Sequence, residues 1–228
     1  MVHNDSANAD FRPMIDLYDF IQALNEVSLP TDIVNPSASG MTANIILQTW
    51  KVKEGQRFCT NFVLGEMGTG IPYSIGAGLA TGRRVLHIEG DGGFQLNIQE
   101  LETISRLNLP IIIFVINNNG YHSIRLSQQA AFGRLTGADD TSGLTLPSLS
   151  SIARAYNIHY CYVRYGLDIK EYEPPNMGTI MWRGVSLEKI STPSIVEVFA
   201  DPNQQYRHRV KSKLVDGKMT TAPMNEVE

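Results

Sequence analysis

Two polar clusters flanked by glycine contain the residues of this sequence that are best suited to chemistry. The first, Gly90-Asp91-Gly92-Gly93, follows an apolar stretch, Arg84 to Ile88, that predicts a strand. The second, Asn117-Asn118-Asn119-Gly120, follows the continuous apolar stretch Ile111 to Ile116, which predicts a strand buried on both faces. Ligands of parallel sheets bind beyond the carboxyl ends of the strands, so both clusters are candidates for a site.

The oxygen atoms of these clusters are the kind that bind a hard cation. Asp91 offers a carboxylate, Asn118 an amide oxygen and Gly120 a carbonyl that glycine's backbone freedom can expose. One carboxylate, carbonyl oxygens and the phosphates of a ligand form the usual Mg²⁺ site. Asp-Gly and Asn-Gly are also common turn dipeptides, so either cluster alone is weak evidence. Their joint occurrence across one strand–helix–strand crossover is much stronger.

The elements that must position these clusters alternate between helix and strand. Apolar spacing predicts helices at 17–24, 41–50, 69–81, 97–106 and 147–156, and strands at 31–34, 57–63, 84–88, 111–116, 158–163 and 194–199. Gly82 is the expected C-cap of the third helix. The alternation favours an α/β fold, a three-layer doubly wound parallel sheet. The stretch Tyr165 to Thr192 has no clear pattern.

Composition excludes several classes of protein. The 228 residues contain 19 Lys and Arg against 23 Asp and Glu, a net charge of −4, which argues against a nucleic-acid binder. The cysteines Cys59 and Cys161 cannot form a disulfide scaffold or a cysteine-only zinc site, and are expected to be small apolar residues. The polar start predicts no secretory signal, and no run reaches the ~18 apolar residues of a membrane span. We therefore expect a cytoplasmic protein without membrane contact.

The two clusters together resemble the signature of thiamine-diphosphate-dependent enzymes. The stretches from Gly90 to Leu101 and from Gly65 to Pro72 look like the acetolactate synthase branch of that family, as does Pro202-Asn203-Gln204. The resemblance covers about Asp16 to Gln204 and implies the pyrophosphate-binding domain with the thiamine-diphosphate-binding fold. We accordingly expect a domain at 13–204, with a flexible tail at 1–12 and a C-terminal tail at 205–228.

The resemblance also implies roles for individual residues. Asp91, Asn118 and the carbonyl of Gly120 would bind Mg²⁺, and the amides of Gly92 and Gly93 would bind the diphosphate. Met67 would prop the cofactor in its bent conformation. The other residues expected to bind the cofactor are Ser39, Gly40 and Thr42 in a closing loop, Gly65 through its carbonyl, Gly90, and Tyr121.

One catalytic group of the family has no counterpart in these predicted elements. A glutamate on a separate pyrimidine-binding domain protonates N1′ of the cofactor, and Glu66, beside Met67, is not that residue. The resemblance therefore implies half an active site, completed by a partner subunit in an α2β2 heterotetramer. The complete enzyme would be a 2-oxo-acid decarboxylase or carboligase, with pyruvate as the typical donor.

Other interpretations of the sequence stay open at this stage. A noncatalytic cofactor-binding or regulatory protein could have the same fold. A Rossmann nucleotide binder is disfavoured because Tyr73 stands where the fingerprint after Gly68-Thr69-Gly70 needs Gly or Ala. A P-loop is excluded because the sequence contains no Gly-Lys-Ser/Thr. His87, inside a predicted strand, is expected to be a buried imidazole with satisfied hydrogen bonds.

Overall fold

The computed structural model describes residues 14–164, 187, 192–207, 212–215 and 218–221. The predicted tail at 1–12 lies outside the described residues, and so does the stretch from Tyr165 to Thr192 apart from Leu187 and Thr192. Within the described part of the chain, no helix is long and apolar enough to cross a membrane.

Helices and strands alternate along the chain as the sequence predicts. The helices are α1 (Leu17–Val27), α2 (Gly40–Thr49), α3 (Gly70–Thr81), α4 (Asp91–Phe94), α5 (Leu101–Arg106), α6 (His122–Phe132) and α7 (Leu149–Ala155). The strands are β1 (Ile33–Pro36), β2 (Arg57–Phe58), β3 (Val85–Gly90), β4 (Ile111–Asn117), β5 (His159–Val163), β6 (Ser194–Phe199), β7 (Ser212–Val215) and β8 (Lys218–Thr221).

The first six strands form one parallel sheet in the order β2-β1-β3-β4-β6-β5. Two apolar cores cover its faces: one packs α1 and α2 through residues such as Phe20 and Ile45, and the other packs α3, α5 and α7 through residues such as Ile71 and Ile152. The predicted three-layer α/β fold is therefore confirmed. The first six residues of β4 are all buried, which explains its continuous apolar sequence.

The last two strands lie in the segment predicted as a C-terminal tail. β7 and β8 pair with each other in antiparallel register and form a separate two-stranded sheet. The segment from 205 to 228 therefore contains regular structure that its polar sequence did not predict.

Three local predictions differ from the structure. The strand predicted at 57–63 ends at Phe58, because the chain then turns into a loop in which Asn61 donates to Glu66 at 2.6 Å. The helix predicted at 97–106 begins as a 3₁₀ segment, Gln95–Glu100, interrupted at Asn97, whose side chain donates to the carbonyl of Gly68 at 2.7 Å. The polar helix α6 was not predicted at all. Gly82, by contrast, is the C-cap of α3, as expected, with φ of 62°.

Candidate functional site

The carboxyl ends of β3 and β4 bring the two polar clusters together. Gly90 pairs with Ile116 across the two parallel strands, so Asp91 lies beside the turn after β4. One carboxylate oxygen of Asp91 accepts hydrogen bonds from the backbone amides of Asn118 at 3.2 Å and Gly120 at 2.9 Å. The other accepts from the amide of Gly92 at 2.8 Å. Asp91 thus joins both clusters through one buried carboxylate.

The carboxylate of Asp91 is buried away from water. It is 3% exposed, and burial raises the pKa of its carboxyl to about 6, although the three backbone donors and the charge of Arg125 oppose that rise. None of the described lysines or arginines forms an ion pair with it. A bound cation would compensate the cost of burying this charge, so the electrostatics fit a metal ligand.

Asn118 and Gly120, whose backbone amides donate to Asp91, are the other members of the predicted ligand set. Oδ1 of Asn118 is buried and has no hydrogen-bond partner in the described part of the chain. Gly120 has φ of +109°, and a Cβ there would lie 2.5 Å from the carbonyl oxygen of Ala138, so only glycine fits this turn. One carboxylate and an unsatisfied amide oxygen at a glycine turn are the donors that suit Mg²⁺.

A cavity of about 270 Å³ opens above this ligand set. Its lining includes all twelve residues that the sequence assigned to cofactor and metal: Ser39, Gly40, Thr42, Gly65, Met67, Gly90, Asp91, Gly92, Gly93, Asn118, Gly120 and Tyr121. Residues distant in sequence, from α2 to the start of α6, therefore meet in one place. Their individual contacts with a cofactor remain a prediction.

Different elements supply the walls of this cavity. The loop before α3 contributes Gly65 and Met67, and Met67 is 38% exposed, so its side chain is accessible to a ligand. The start of α2 contributes Ser39, its N-cap residue, and the buried Thr42. The ring of Tyr121 lies against the backbone opposite, as a Cβ on Gly92 would be 2.2 Å from a ring carbon.

Sequence reasoning missed two residues that shape the site. Glu89 lines the cavity and is 2% exposed. Arg125, on α6, donates to the carbonyls of Asn118 and Asn119, each at 2.7 Å, and to the carbonyl of Pro202 at 3.0 Å. Arg125 therefore fixes the backbone of the turn after β4 through hydrogen bonds to its carbonyl groups. Arg125 is on a helix that the sequence did not predict, so nothing in the sequence indicated this contact. For Glu89 a signal existed, because His87 and Glu89 are polar residues inside an otherwise apolar strand.

A second, larger cavity lies on another side of Asp91. It has a volume of about 480 Å³ and is bordered by Asn117, Tyr160 and Glu197 at the ends of β4, β5 and β6. Asn117 and Tyr160 both donate to the carboxylate of Glu197, so that carboxylate is already satisfied. This cavity shares only Asp91 and Gly120 with the twelve assigned residues and is not lined by Met67. The smaller cavity is therefore the better candidate site.

Comparisons with known proteins identify the family of this chain. The sequence model of the family described as thiamine pyrophosphate enzyme, C-terminal TPP binding domain, matches residues 38–173. The acetolactate synthase large subunit of Porphyra purpurea is 39% identical over 113 residues, which are 49% of this chain and 19% of that protein. The acetolactate synthase isozyme 2 large subunit of Escherichia coli is 35% identical over 105 residues, 46% of this chain and 19% of that protein.

Two further comparisons cover more of the chain. An uncharacterized protein of Methanocaldococcus jannaschii is 27% identical over 188 residues, 78% of this chain and 34% of that protein. The thiamine diphosphate-dependent 4-hydroxybenzoylformate decarboxylase of Rhodococcus jostii has the same fold, with a TM-score of 0.65 at 18% identity over 86% of this chain and 36% of that one. The matches thus span about a fifth to a third of these relatives. The family match covers more than half of the chain, which belongs to the thiamine pyrophosphate enzyme family as its C-terminal, TPP-binding domain.

Proposed function

We propose that this chain binds the diphosphate of thiamine diphosphate through Mg²⁺ and is the pyrophosphate-binding subunit of a 2-oxo-acid decarboxylase or carboligase. The observation that carries the proposal is the buried set of Asp91, Asn118 and Gly120, which lies in one cavity with Gly65 and Met67. The kinship with acetolactate synthase large subunits makes a pyruvate-type donor the first substrate to test. The direct test is an assay of 2-oxo acids with the cofactor, Mg²⁺ and a partner chain.

Each residue of the buried set has a defined task in this proposal. Asp91 neutralises positive charge, Oδ1 of Asn118 gains the partner it lacks, and the carbonyl of Gly120 supplies a third oxygen. The backbone amide of Gly93 binds a phosphate oxygen at a position where an ordinary side chain would not fit, whereas the amide of Gly92 already donates to Oδ1 of Asp91. A Cβ on Gly93 would lie 2.6 Å from Oε1 of Glu89.

The loop before α3 faces the reacting end of the cofactor in this proposal. When bound, the cofactor supplies the C2 carbon that adds to the carbonyl of a 2-oxo acid. Met67 would support the bound cofactor in its bent shape, and the carbonyl of Gly65 would accept a hydrogen bond from the amino group of its pyrimidine ring. Both residues line the cavity, and the accessible side chain of Met67 permits the contact.

Met67→Ala should preserve cofactor binding and impair turnover. The substitution leaves the Asp91 ligand set untouched, while a misplacement of ~1 Å between reacting groups can cost about 10²-fold in rate. We expect a fall of roughly that size in kcat of the assembled enzyme, with an unchanged Kd for the cofactor in calorimetry. Met67→Leu, which keeps the bulk, is the matched control. Equal turnover of the alanine variant and wild type would show that Met67 has only a packing role.

Arg125→Met should weaken cofactor binding from behind the site. Its guanidinium holds two carbonyls of the turn that carries Asn118 and Gly120, and groups behind metal ligands typically contribute about 10–100-fold to metal affinity. We expect at least a tenfold rise in the Kd for Mg²⁺ and thiamine diphosphate by calorimetry. Arg106→Met, an exposed arginine at the end of α5, is the control. An unchanged Kd would contradict the role of Arg125.

The proposal includes a partner subunit that carries the pyrimidine-binding domain and the glutamate that protonates N1′. Large apolar side chains are exposed next to the cavity and along α3: Val63 is 90%, Leu64 81% and Leu79 58% exposed. Exposed apolar surface of this extent often marks a protein contact. On the same helix Gly76 faces open space, which would let another backbone approach closely.

A further inference from the structure

A buried polar pair lies inside β3, in a strand whose other side chains are apolar. His87 is 0% and Glu89 2% exposed, and both are on the face of the sheet that packs against α3. Nε2 of His87 lies 2.9 Å from Oε2 of Glu89, and Nδ1 lies 2.9 Å from the backbone carbonyl oxygen of Asn35 on β1. His87 is thus the buried, satisfied imidazole that the sequence predicted, but its partner borders the candidate site.

The partners of the imidazole determine how protons are shared in this pair. The carbonyl of Asn35 can only accept, so Nδ1 of His87 carries a proton. The bond between Nε2 and the carboxyl of Glu89 then contains one proton, on either atom, and the pair as a whole is neutral. Such a pair costs desolvation, and apolar residues of similar volume often stabilise a core equally well. Stability alone therefore gives little reason for this pair.

The pair is the contact point of two cavity walls. A Cβ on Gly70, the first residue of α3, would lie 2.1 Å from Cε1 of His87. A Cβ on Gly93, in helix α4, which begins at Asp91, would lie 2.6 Å from Oε1 of Glu89. The loop with Met67, here called the Met67 wall, leads into Gly70, and Gly93 belongs to the helix that begins at Asp91, here called the Asp91 wall. The pair therefore lies between these two walls.

Asn35, on β1, connects the His87–Glu89 pair to the first turn of α3. Its side-chain amide donates to the carbonyl of Gly70 and to the hydroxyl of Ser74, each at 2.8 Å. β1, β3 and the first turn of α3 are therefore joined by one buried network. Glu89 uses Oε2 for the bond to His87 and also lines the cavity.

We propose that the His87–Glu89 pair is a positioning unit that sets the spacing between the Met67 wall and the Asp91 wall of the cofactor cavity. The pair acts through the hydrogen bond between its members and through the two glycines packed against it. The inference rests on the proposed binding of thiamine diphosphate. In this proposal Glu89 maintains the shape of the site and takes no part in the chemical step.

The first test compares two substitutions of Glu89 in the full chain, with calorimetric titration of thiamine diphosphate in the presence of Mg²⁺. Glu89→Gln can donate to Nε2 of His87 and retain an oxygen at the cavity, so the Kd should stay near the wild-type value. Glu89→Leu breaks the bond, and the Kd should rise about tenfold or more, the equivalent of one lost buried hydrogen bond. Two results would overturn the proposal: wild-type affinity in Glu89→Leu, or equal losses in both variants.

A second pair of variants keeps the test decisive if Glu89→Leu does not fold. Gly70→Ala pushes a methyl group against His87 without changing a cavity-lining residue, and the Kd should rise by a similar factor. Gly76→Ala, on the exposed face of the same helix, has no atom within 4 Å of the new Cβ and should bind like wild type. Equal Kd values for these two alanine variants would contradict the proposal. Failure of wild type to bind would instead contradict the proposed function.

Discussion

Asp91→Ala should abolish Mg²⁺-dependent binding of thiamine diphosphate. The carboxylate is the single acidic group of the proposed ligand set, and it is buried among three backbone amides that fix its orientation. Groups that only support a metal ligand contribute about 10–100-fold to affinity, so loss of the ligand itself should raise the Kd by at least ~10²-fold. Calorimetric titration of the cofactor with and without Mg²⁺ measures this directly.

Two companion variants separate loss of the ligand from loss of the fold. Asp91→Asn keeps the size of the side chain and an oxygen for part of the backbone hydrogen bonds while removing the charge, and it should also bind poorly. Glu102→Gln removes an exposed carboxylate on α5 and should bind like wild type. Thermal unfolding of each variant shows whether the protein is folded. A folded Asp91→Ala protein with wild-type affinity would remove the basis of the proposed function.

The sequence alone predicted that Asp91, Asn118 and Gly120 lie together, because local chemistry determines their positions. Each follows a predicted strand, and each is in a glycine-containing turn, so neighbouring residues determine where the oxygen atoms lie. The parallel arrangement of β3 and β4 then brings the two turns to one edge. The same reasoning predicted the order of the sheet strands and of most helices, because apolar spacing or, in β4, a continuous apolar run marks these elements.

Other features depend on contacts between distant segments, which spacing does not reveal. The hydrogen bond from Asn97 to Gly68 interrupts a helix that the apolar pattern predicts as continuous. The role of Arg125 depends on carbonyl groups, which every residue has. The position of Glu89 between two cavity walls depends on Gly70 and Gly93. In each case the decisive partner comes from another element of the fold.

The isolated chain should show little or no decarboxylation of 2-oxo acids, even when saturated with thiamine diphosphate and Mg²⁺. In the proposed function a partner subunit provides the glutamate that protonates N1′. Addition of a chain with the pyrimidine-binding domain should restore turnover. An assay of pyruvate consumption, first with the purified chain and then with the partner added, measures the difference. Full turnover by the pure chain would contradict the proposed division of the active site.

The same experiment tests the expected α2β2 assembly through the exposed apolar surface beside the cavity. Light scattering after size-exclusion chromatography should give a heterotetramer, and its interface should bury more than the ~2,000 Å² from which obligate interfaces begin. Leu79→Glu places a charge on the exposed face of α3 and should prevent assembly and turnover while cofactor binding by the isolated chain persists. Val52→Glu, an equally exposed apolar site in the loop between α2 and β2, should assemble normally. Assembly of the Leu79→Glu variant at wild-type affinity would exclude α3 from the interface, because a buried unpaired charge is strongly unfavourable.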